Sequence, residues 1–446
     1  MSPLEKNSMN RRRFLQRSAQ ASALALSLGR TWGAPLASMH VQVKARPDVV
    51  IYDGEYPGWP WVTRGGDGSL HCVFREGSVH DYSGNGRALF TKSTDGGRSW
   101  GEAIVIADAP GVDDRNTAIV ELSGRELLVS YNLYDAARAS QAVTVRSLDG
   151  GQSWSAPIPL DQPNTRTRSA VLPLTNGDLV LPYYIAPGNG SLAALSKDRG
   201  QTWKTVRIPD TDGFLGDEWD ALELEPGHLI GVFRNSDPAS DGTFWKAESR
   251  DGGTHWSRPK PTNVRSMRLT SPPHIAWQNS VPTLIYADRR MVSVSAVTTS
   301  DPEFLDWDLA NRLPCYQYNP DESPILDSSY PCSVQITPTE RLIVDYEIRP
   351  EAKRITGYFV QFPEDWGQGF KIRITRVSVA NDELTIDFVS PLPADAHRVE
   401  TRLGWASRGP WQDLPSTIKL TGHGQLQAVA KSQEPDGALF RIVGWF

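Results

Sequence analysis

Cysteine is scarce in this chain: three residues among 446, too few for a disulfide-built scaffold. Cys315 and Cys332 can pair in an oxidising compartment, which leaves Cys72 in a strand-like run. Cys and His are too scattered for a structural zinc site. No apolar stretch approaches the roughly 20 residues that span a bilayer, so no membrane span is expected. Nucleotide loops, metal motifs and cofactor fingerprints are absent. No metal and no cofactor is therefore expected, although a structural calcium ion held by loop carboxylates would leave no mark at this level. Positive charge is short as well. The net charge is −6, and −11 once residues 1–40, which carry +5, are set aside. An acidic chain of this kind is a poor nucleic-acid binder.

What is abundant points to β structure. The 15 Trp, 37 Gly and 33 Pro fit many short strands joined by tight turns, with aromatic plugs between them. The first forty residues read differently. Asn10–Gln16 (NRRRFLQ) precedes a short apolar run, Ala21–Gly29, and small residues at Ala34–Ala37. This is the layout of a bacterial export signal of the twin-arginine type, and it predicts a periplasmic or secreted protein.

A repeat organises the middle of the chain. Ser93–Trp100 (STDGGRSW), Ser147–Trp154 (SLDGGQSW), Ser196–Trp203 (SKDRGQTW) and Ser249–Trp256 (SRDGGTHW) share one pattern, with starts 54, 49 and 53 residues apart. An eroded fifth copy lies at Thr299–Trp307. Asp accepts hydrogen bonds from backbone N–H groups of its own turn, Gly takes conformations other residues resist, and Trp covers the hairpin. Such turns stabilise hairpins and carry no chemistry. A period near 50 residues matches one four-stranded propeller blade. Hydrophobic runs at 69–74, 126–131, 178–183, 228–233 and 341–346 read as the second strand of successive blades. The expected fold is all-β: a six-bladed, or seven-bladed, β-propeller over residues 45–367. From 368 to 446 the period stops, and strand-like runs without the turn motif predict a small β-sandwich-like domain. Its Trp405, Trp411 and Trp445 read as core, or as platforms for sugar rings.

The turn motifs together with Glu218–Arg234 (EWDALELEPGHLIGVFR) resemble the sialidase superfamily, over residues 45 to about 365. The resemblance implies that Glu218 partners a tyrosine nucleophile and that Arg234 grips a substrate carboxylate. Arg289 or Arg290, in Tyr286–Arg290 (YADRR), falls where another carboxylate-binding arginine is expected, and Tyr330 falls at the nucleophile. The chemistry agrees with the residue types. A phenol needs a carboxylate to take its proton, and an arginine fork suits a carboxylate. The chain departs from the family at two places. Gly58-Trp59-Pro60 stands where sialidases carry Arg-Ile-Pro, and Arg75–Asp81 (REGSVHD) replaces their acid/base loop, leaving Asp81 or His80 for that role.

His80 opens a second resemblance, to propeller-fold ulvan lyases, carried by Phe74–His80 (FREGSVH). There a histidine and a tyrosine act on a uronate whose carboxylate an arginine neutralises. Tyr131, Tyr134 or Tyr183 would be the acid, and Arg115, Arg146, Arg166 or Arg168 the neutraliser. The expected function is hydrolysis of a glycan bearing an acidic sugar, with Glu218, Tyr330, His80 and Asp81 as catalytic candidates. Arg75, Arg115, Arg234, Arg289 and Arg290 are the substrate-binding candidates, and the expected partner is an oligo- or polysaccharide. A lyase and a non-catalytic glycan-binding propeller are the alternatives.

Overall fold

The computed structural model describes residues 44–446, apart from 267–270, 289–292, 319–322, 365, 368–372, 381–382, 390–396, 404–411, 415, 423–424, 432–437 and 445–446. The export segment, Arg289, Arg290, Trp405, Trp411 and Trp445 lie outside the described residues. No described helix is long and apolar enough to cross a membrane.

Residues 49–361 fold into six antiparallel sheets that follow one another along the chain. The first comprises Gly58–Arg64, Leu70–Glu76, Arg87–Ser93 and Ile104–Ala107; the second spans 112–159, the third 165–207, the fourth 216–265 and the fifth 274–317. In each of these five the earliest strand is innermost. The innermost strands of the first and second sheets touch, as do those of the fourth and fifth and of the fifth and sixth. Gly58–Arg64 also meets Cys332–Gln335 of the sixth sheet, which joins the last sheet to the first. The fold is a β-propeller.

The sixth sheet is closed by a strand the repeat did not announce. Val49–Asp53 pairs with Lys353–Gln361, so the start of the propeller supplies the outer strand of its last sheet. A ring joined this way cannot open without breaking a strand pairing. The runs read as second strands are second strands: Leu70–Glu76, Glu126–Asp135, Leu179–Ile185, His228–Asn235 and Glu340–Ile348. Leu70–Glu76 is buried along its whole length. Sheets packed on both faces explain why such runs are continuously apolar rather than alternating.

In all five turn motifs the Asp carboxylate accepts from backbone N–H groups of its own turn, and in the first, fourth and fifth the Trp indole N–H also donates to a turn carbonyl. In the first, Asp95 Oδ1 accepts from the N–H groups of Arg98 and Ser99 at 3.0 and 2.9 Å, and Ser93 Oγ accepts from Gly97 N at 2.8 Å. Trp100 Nε1 donates to Gly97 O at 3.0 Å. The eroded copy keeps the essentials. Asp301 Oδ2 accepts from Leu305 N and Asp306 N, and Trp307 Nε1 donates to Phe304 O. Gly151 shows why glycine is needed: its φ is +95°, and a Cβ there would lie 2.6 Å from the Phe90 ring of the neighbouring sheet.

All three cysteines are buried and unpaired, so Cys315 and Cys332 do not form the bond their compartment would permit. Beyond residue 372 the strands form a four-stranded and a three-stranded antiparallel sheet.

Candidate functional site

Strand direction separates the two rims of the propeller. First strands begin, second strands end and third strands begin at one rim, as the pairs Gly58↔Arg75 and Glu76↔Arg87 show. The turn motifs follow the ends of third strands and so lie on the other rim. The mouth therefore collects Gly58–Pro60, Asp113–Asn116, Arg166, Asp217–Glu218, Arg234, Asp327–Tyr330 and the loop carrying His80.

Four of these residues meet directly. Tyr330 Oη donates to Glu218 Oε2 at 3.1 Å, and Arg234 Nη1 reaches Tyr330 Oη at 3.3 Å and Glu218 Oε2 at 2.5 Å. Arg234 Nε and Nη2 both bond Asp217 Oδ2, at 3.0 and 2.5 Å. Glu218 is 2% exposed and Tyr330 8%. Burial raises the Glu218 pKa; Arg234 opposes the shift and Asp217 adds to it. Burial works against the charge on Arg234, but Asp217 and Glu218 hold the guanidinium protonated. Asn116, at φ +57°, approaches Glu218 Oε1 through its amide at 3.5 Å.

Beneath this group Arg168 crosses the channel. It leaves the third sheet, stacks on the rings of Trp61 and Tyr330, and donates to the carbonyls of Tyr330 and Pro331 in the sixth sheet. It is 2% exposed. Asp345, also fully buried, accepts from Tyr330 N and from the hydroxyls of Tyr316 and Tyr318. Burial pushes its carboxyl up to about 6. Tyr330 is thus held by its backbone as well as by its hydroxyl.

The other candidates fall into separate arrangements. His80 is on the exposed lip, its Nδ1 2.5 Å from Asp327 Oδ2, and Tyr56 Oη donates to the same oxygen at 2.9 Å. The neighbouring Asp81 turns to Arg138, whose hydrogen bond lowers its carboxyl to about 2. A carboxyl so acidic is ionised near neutral pH and holds no proton to donate. Arg75 is fully buried and holds Asp113 with two parallel bonds of 2.9 and 2.8 Å, while its Nη1 reaches the carbonyls of Val79 and Tyr56. It anchors the loop that carries His80. Arg115 donates to His80 O at 2.9 Å and lies over the rings of Trp59 and Tyr134. Of the lyase candidates, Arg146 sits on the far rim against Glu126 and the turn residue Arg199. Tyr131 and Tyr183 are buried, and the Tyr183 hydroxyl contacts Thr205. Tyr134 remains at the mouth, beside Arg138.

Sequence reading missed Asp327, Tyr56 and Trp59. Trp59, next to the Gly58 that takes the place of the family's arginine, stands at φ +51° and 2% exposure. Its ring contacts His80, Tyr330 and Tyr346, and Arg75 lies over it as well as Arg115. Asp327 stands three residues before Tyr330, and nothing in that spacing marks it as the partner of a loop 247 residues away. A buried Ser333–His274–Asp220 chain, at 3.1 and 2.9 Å, has the outline of a hydrolytic triad. Ser333 Oγ instead accepts from Arg341 at 2.7 Å and all three are buried, so the chain ties the fourth, fifth and sixth sheets together. No cluster of three or more metal-ligating side chains occurs among the described residues.

Residues 87–336 match the family described as BNR repeat-like domain. A sialidase of Micromonospora viridifaciens is 27% identical over 305 residues, covering 57% of this chain and 46% of the relative. The chain therefore spans about half the length of that protein. Among solved structures, a protein of unknown function from Dyadobacter fermentans superposes with a TM-score of 0.60 at 19% identity, covering 72% of this chain and 99% of the other. The NanB sialidase of Streptococcus pneumoniae gives 0.57 at 12% identity, covering 72% and 71%. At such identities these two likenesses are of fold.

Proposed function

The chain belongs to the BNR repeat-like domain family, and we propose that it is a glycoside hydrolase acting on a glycan that bears an acidic sugar. Tyr330 is the nucleophile and Glu218 the base that takes its proton. The reading rests on one observation: the Tyr330 hydroxyl and the buried Glu218 carboxylate are 3.1 Å apart, with the Arg234 guanidinium against both.

Energetics favour that grouping. Moving a proton from a free phenol to a free carboxylate crosses about 6 pKa units, or about 8 kcal/mol. Burial raises Glu218, which narrows the gap from the acceptor side. Arg234 donates to the phenolic oxygen and stabilises the negative charge that develops there, and Arg168 places a second buried cation on the ring. Attack by tyrosine splits one hard displacement into two easier ones.

Recognition of a carboxylate falls to arginines at the mouth. Arg166 is half-buried, fixed through Nε to Ser140 and stacked on Tyr134 at 4.6 Å. Its terminal nitrogens, the two that form a fork, face no hydrogen-bond partner among the described residues. Arg115 and Arg234 at the mouth are further members of the proposed set, to which the resemblance adds Arg289 and Arg290, outside the described residues. Export by the twin-arginine route would place the enzyme outside the cytoplasm, where such glycans are met.

The test is a panel of 4-methylumbelliferyl glycosides of sialic, uronic and neutral sugars. The acidic glycosides should release fluorophore, and Tyr330→Phe and Glu218→Gln should abolish release. Equal turnover of neutral sugars would contradict the substrate class, and full activity in both variants would contradict the mechanism. A second reading, β-elimination beside a uronate, is favoured by the His80–Asp327 contact. It predicts a new conjugated double bond in the product, seen by absorbance, with a new reducing end that takes up no oxygen from ¹⁸O-labelled water.

A further inference from the structure

We infer that His80 is the proton-transfer residue of this mouth and that Asp327 and Tyr56 are its positioning residues, an acid/base unit assembled across the seam that closes the ring. The inference rests on the glycosidase reading for the bond that is broken, and on geometry alone for the unit itself.

His80 belongs to the loop between the second and third strands of the first sheet, whereas Asp327 opens the innermost strand of the sixth. Their contact, Nδ1 to Oδ2 at 2.5 Å, joins the first and last sheets at the rim that holds Tyr330. An ionised carboxylate only accepts hydrogen bonds, so this contact fixes the proton on Nδ1 and leaves Nε2 as the working nitrogen. Tyr56 Oη donates to the same Asp327 oxygen at 2.9 Å and sets the carboxylate plane. The backbone of the loop is held too. Arg115 donates to His80 O at 2.9 Å, and Arg75 to Val79 O at 2.9 Å.

Exposure distinguishes this histidine from its buried counterpart. His274 is enclosed and has partners on both ring nitrogens. The His80 side chain is 55% exposed although Nδ1 is fixed, whereas Asp327 is only 14% exposed. A fixed ring with one free nitrogen facing solvent is the arrangement that general acid/base catalysis requires. Both His80 and Tyr330 lie edge-on to the Trp59 ring, at 5.3 and 6.3 Å between centroids, so one indole positions both groups.

The proton balance is complete without a further reactant. As the glycosidic C–O bond breaks, Nε2–H of the doubly protonated ring passes its proton to the leaving oxygen. Tyr330 oxygen bonds to the anomeric carbon and its proton moves to Glu218. Water then attacks that carbon, giving one proton to Nε2, while Glu218 returns its proton to the departing Tyr330 oxygen. Throughout, Asp327 faces the charge on the ring and Nδ1–H stays bonded to it.

Two measurements test the unit. In the proton NMR spectrum, the Nδ1–H of His80 should give a strongly downfield resonance that disappears in both His80→Gln and Asp327→Asn. Tyr56→Phe, which removes only a hydroxyl, should keep the fold and shift that resonance. In kinetics, His80→Gln should lower kcat/KM on an unactivated oligosaccharide by about 10²–10⁴-fold. On the matching 4-nitrophenyl glycoside, whose leaving group needs no acid, the loss in glycosylation should be under about tenfold. Asp327→Asn should fall between wild type and His80→Gln. Equal losses on both leaving groups, or a resonance unchanged by Asp327→Asn, would overturn the inference. If wild type cleaves no glycoside of any kind, the glycosidase reading falls, and the unit is judged by the resonance, whose absence overturns it.

Discussion

The two rims of this propeller use the same residue types to opposite ends. On one rim Asp95, Asp149, Asp198 and Asp251 each accept hydrogen bonds from their own turn, within four residues. On the other rim the carboxylates find partners far away in sequence. Glu218 meets Tyr330 across 112 residues, Asp113 meets Arg75 across 38, and Asp327 meets His80 across 247. A carboxylate satisfied by its own turn stabilises a hairpin and can be copied from blade to blade. A carboxylate satisfied across the ring exists once, and the tertiary structure must hold it in place.

Substitutions on the two rims should therefore behave differently, and the largest difference is in turnover. Tyr330→Phe or Glu218→Gln should reduce kcat/KM by about 10³-fold or more, about 4 kcal/mol of transition-state stabilisation, with little change in Tm for Tyr330→Phe and a lower Tm for Glu218→Gln, which also removes a carboxylate from the buried Arg234. Next comes Asp217→Asn. It removes a carboxylate from the buried Arg234 and should lower unfolding free energy by about 3 kcal/mol, measured by urea denaturation. On the far rim Gly151→Ala forces a side chain into φ +95° against Phe90. It should cost about 1–3 kcal/mol of stability and leave activity per folded molecule unchanged. A drop in activity without loss of stability there would erase the distinction between the rims.

A smaller effect lies in the pH profile. Glu218 must be ionised to accept the tyrosine proton, and burial raises its pKa. Activity should therefore be present above that raised value and lost as pH falls through it. The acid limb of kcat/KM should lie above the ordinary carboxylate value of about 4. An acid limb at or below that value would show that Glu218 is not the titrating base.

The same contrast explains what could be read in advance. The turn motifs are short-range and repeated, so their spacing revealed the blades, and the hydrophobic runs between them revealed the second strands. Arg234 and Glu218 were legible because they bracket one strand pair within a recognisable run. Closure by Val49–Asp53 was not, because strand pairing between chain ends leaves no local pattern. Asp327 and Tyr56 were invisible for a related reason. Each is an ordinary polar side chain until the ring brings the first and sixth sheets together. Trp59 could be seen as a departure from the family, but its contacts with His80 and Tyr330 could not. Arg75, taken for a substrate ligand from its place in the loop, is occupied by Asp113 and two carbonyls, a use that only burial reveals.

The most direct test of the account is a double-mutant cycle at Glu218 and Tyr330, measured as kcat/KM on the best acidic glycoside. If the two act as one unit, Glu218→Gln combined with Tyr330→Phe should be no slower than the worse single variant. Losses that simply multiply would show that the two residues act independently, and would contradict the pairing on which the proposed function rests.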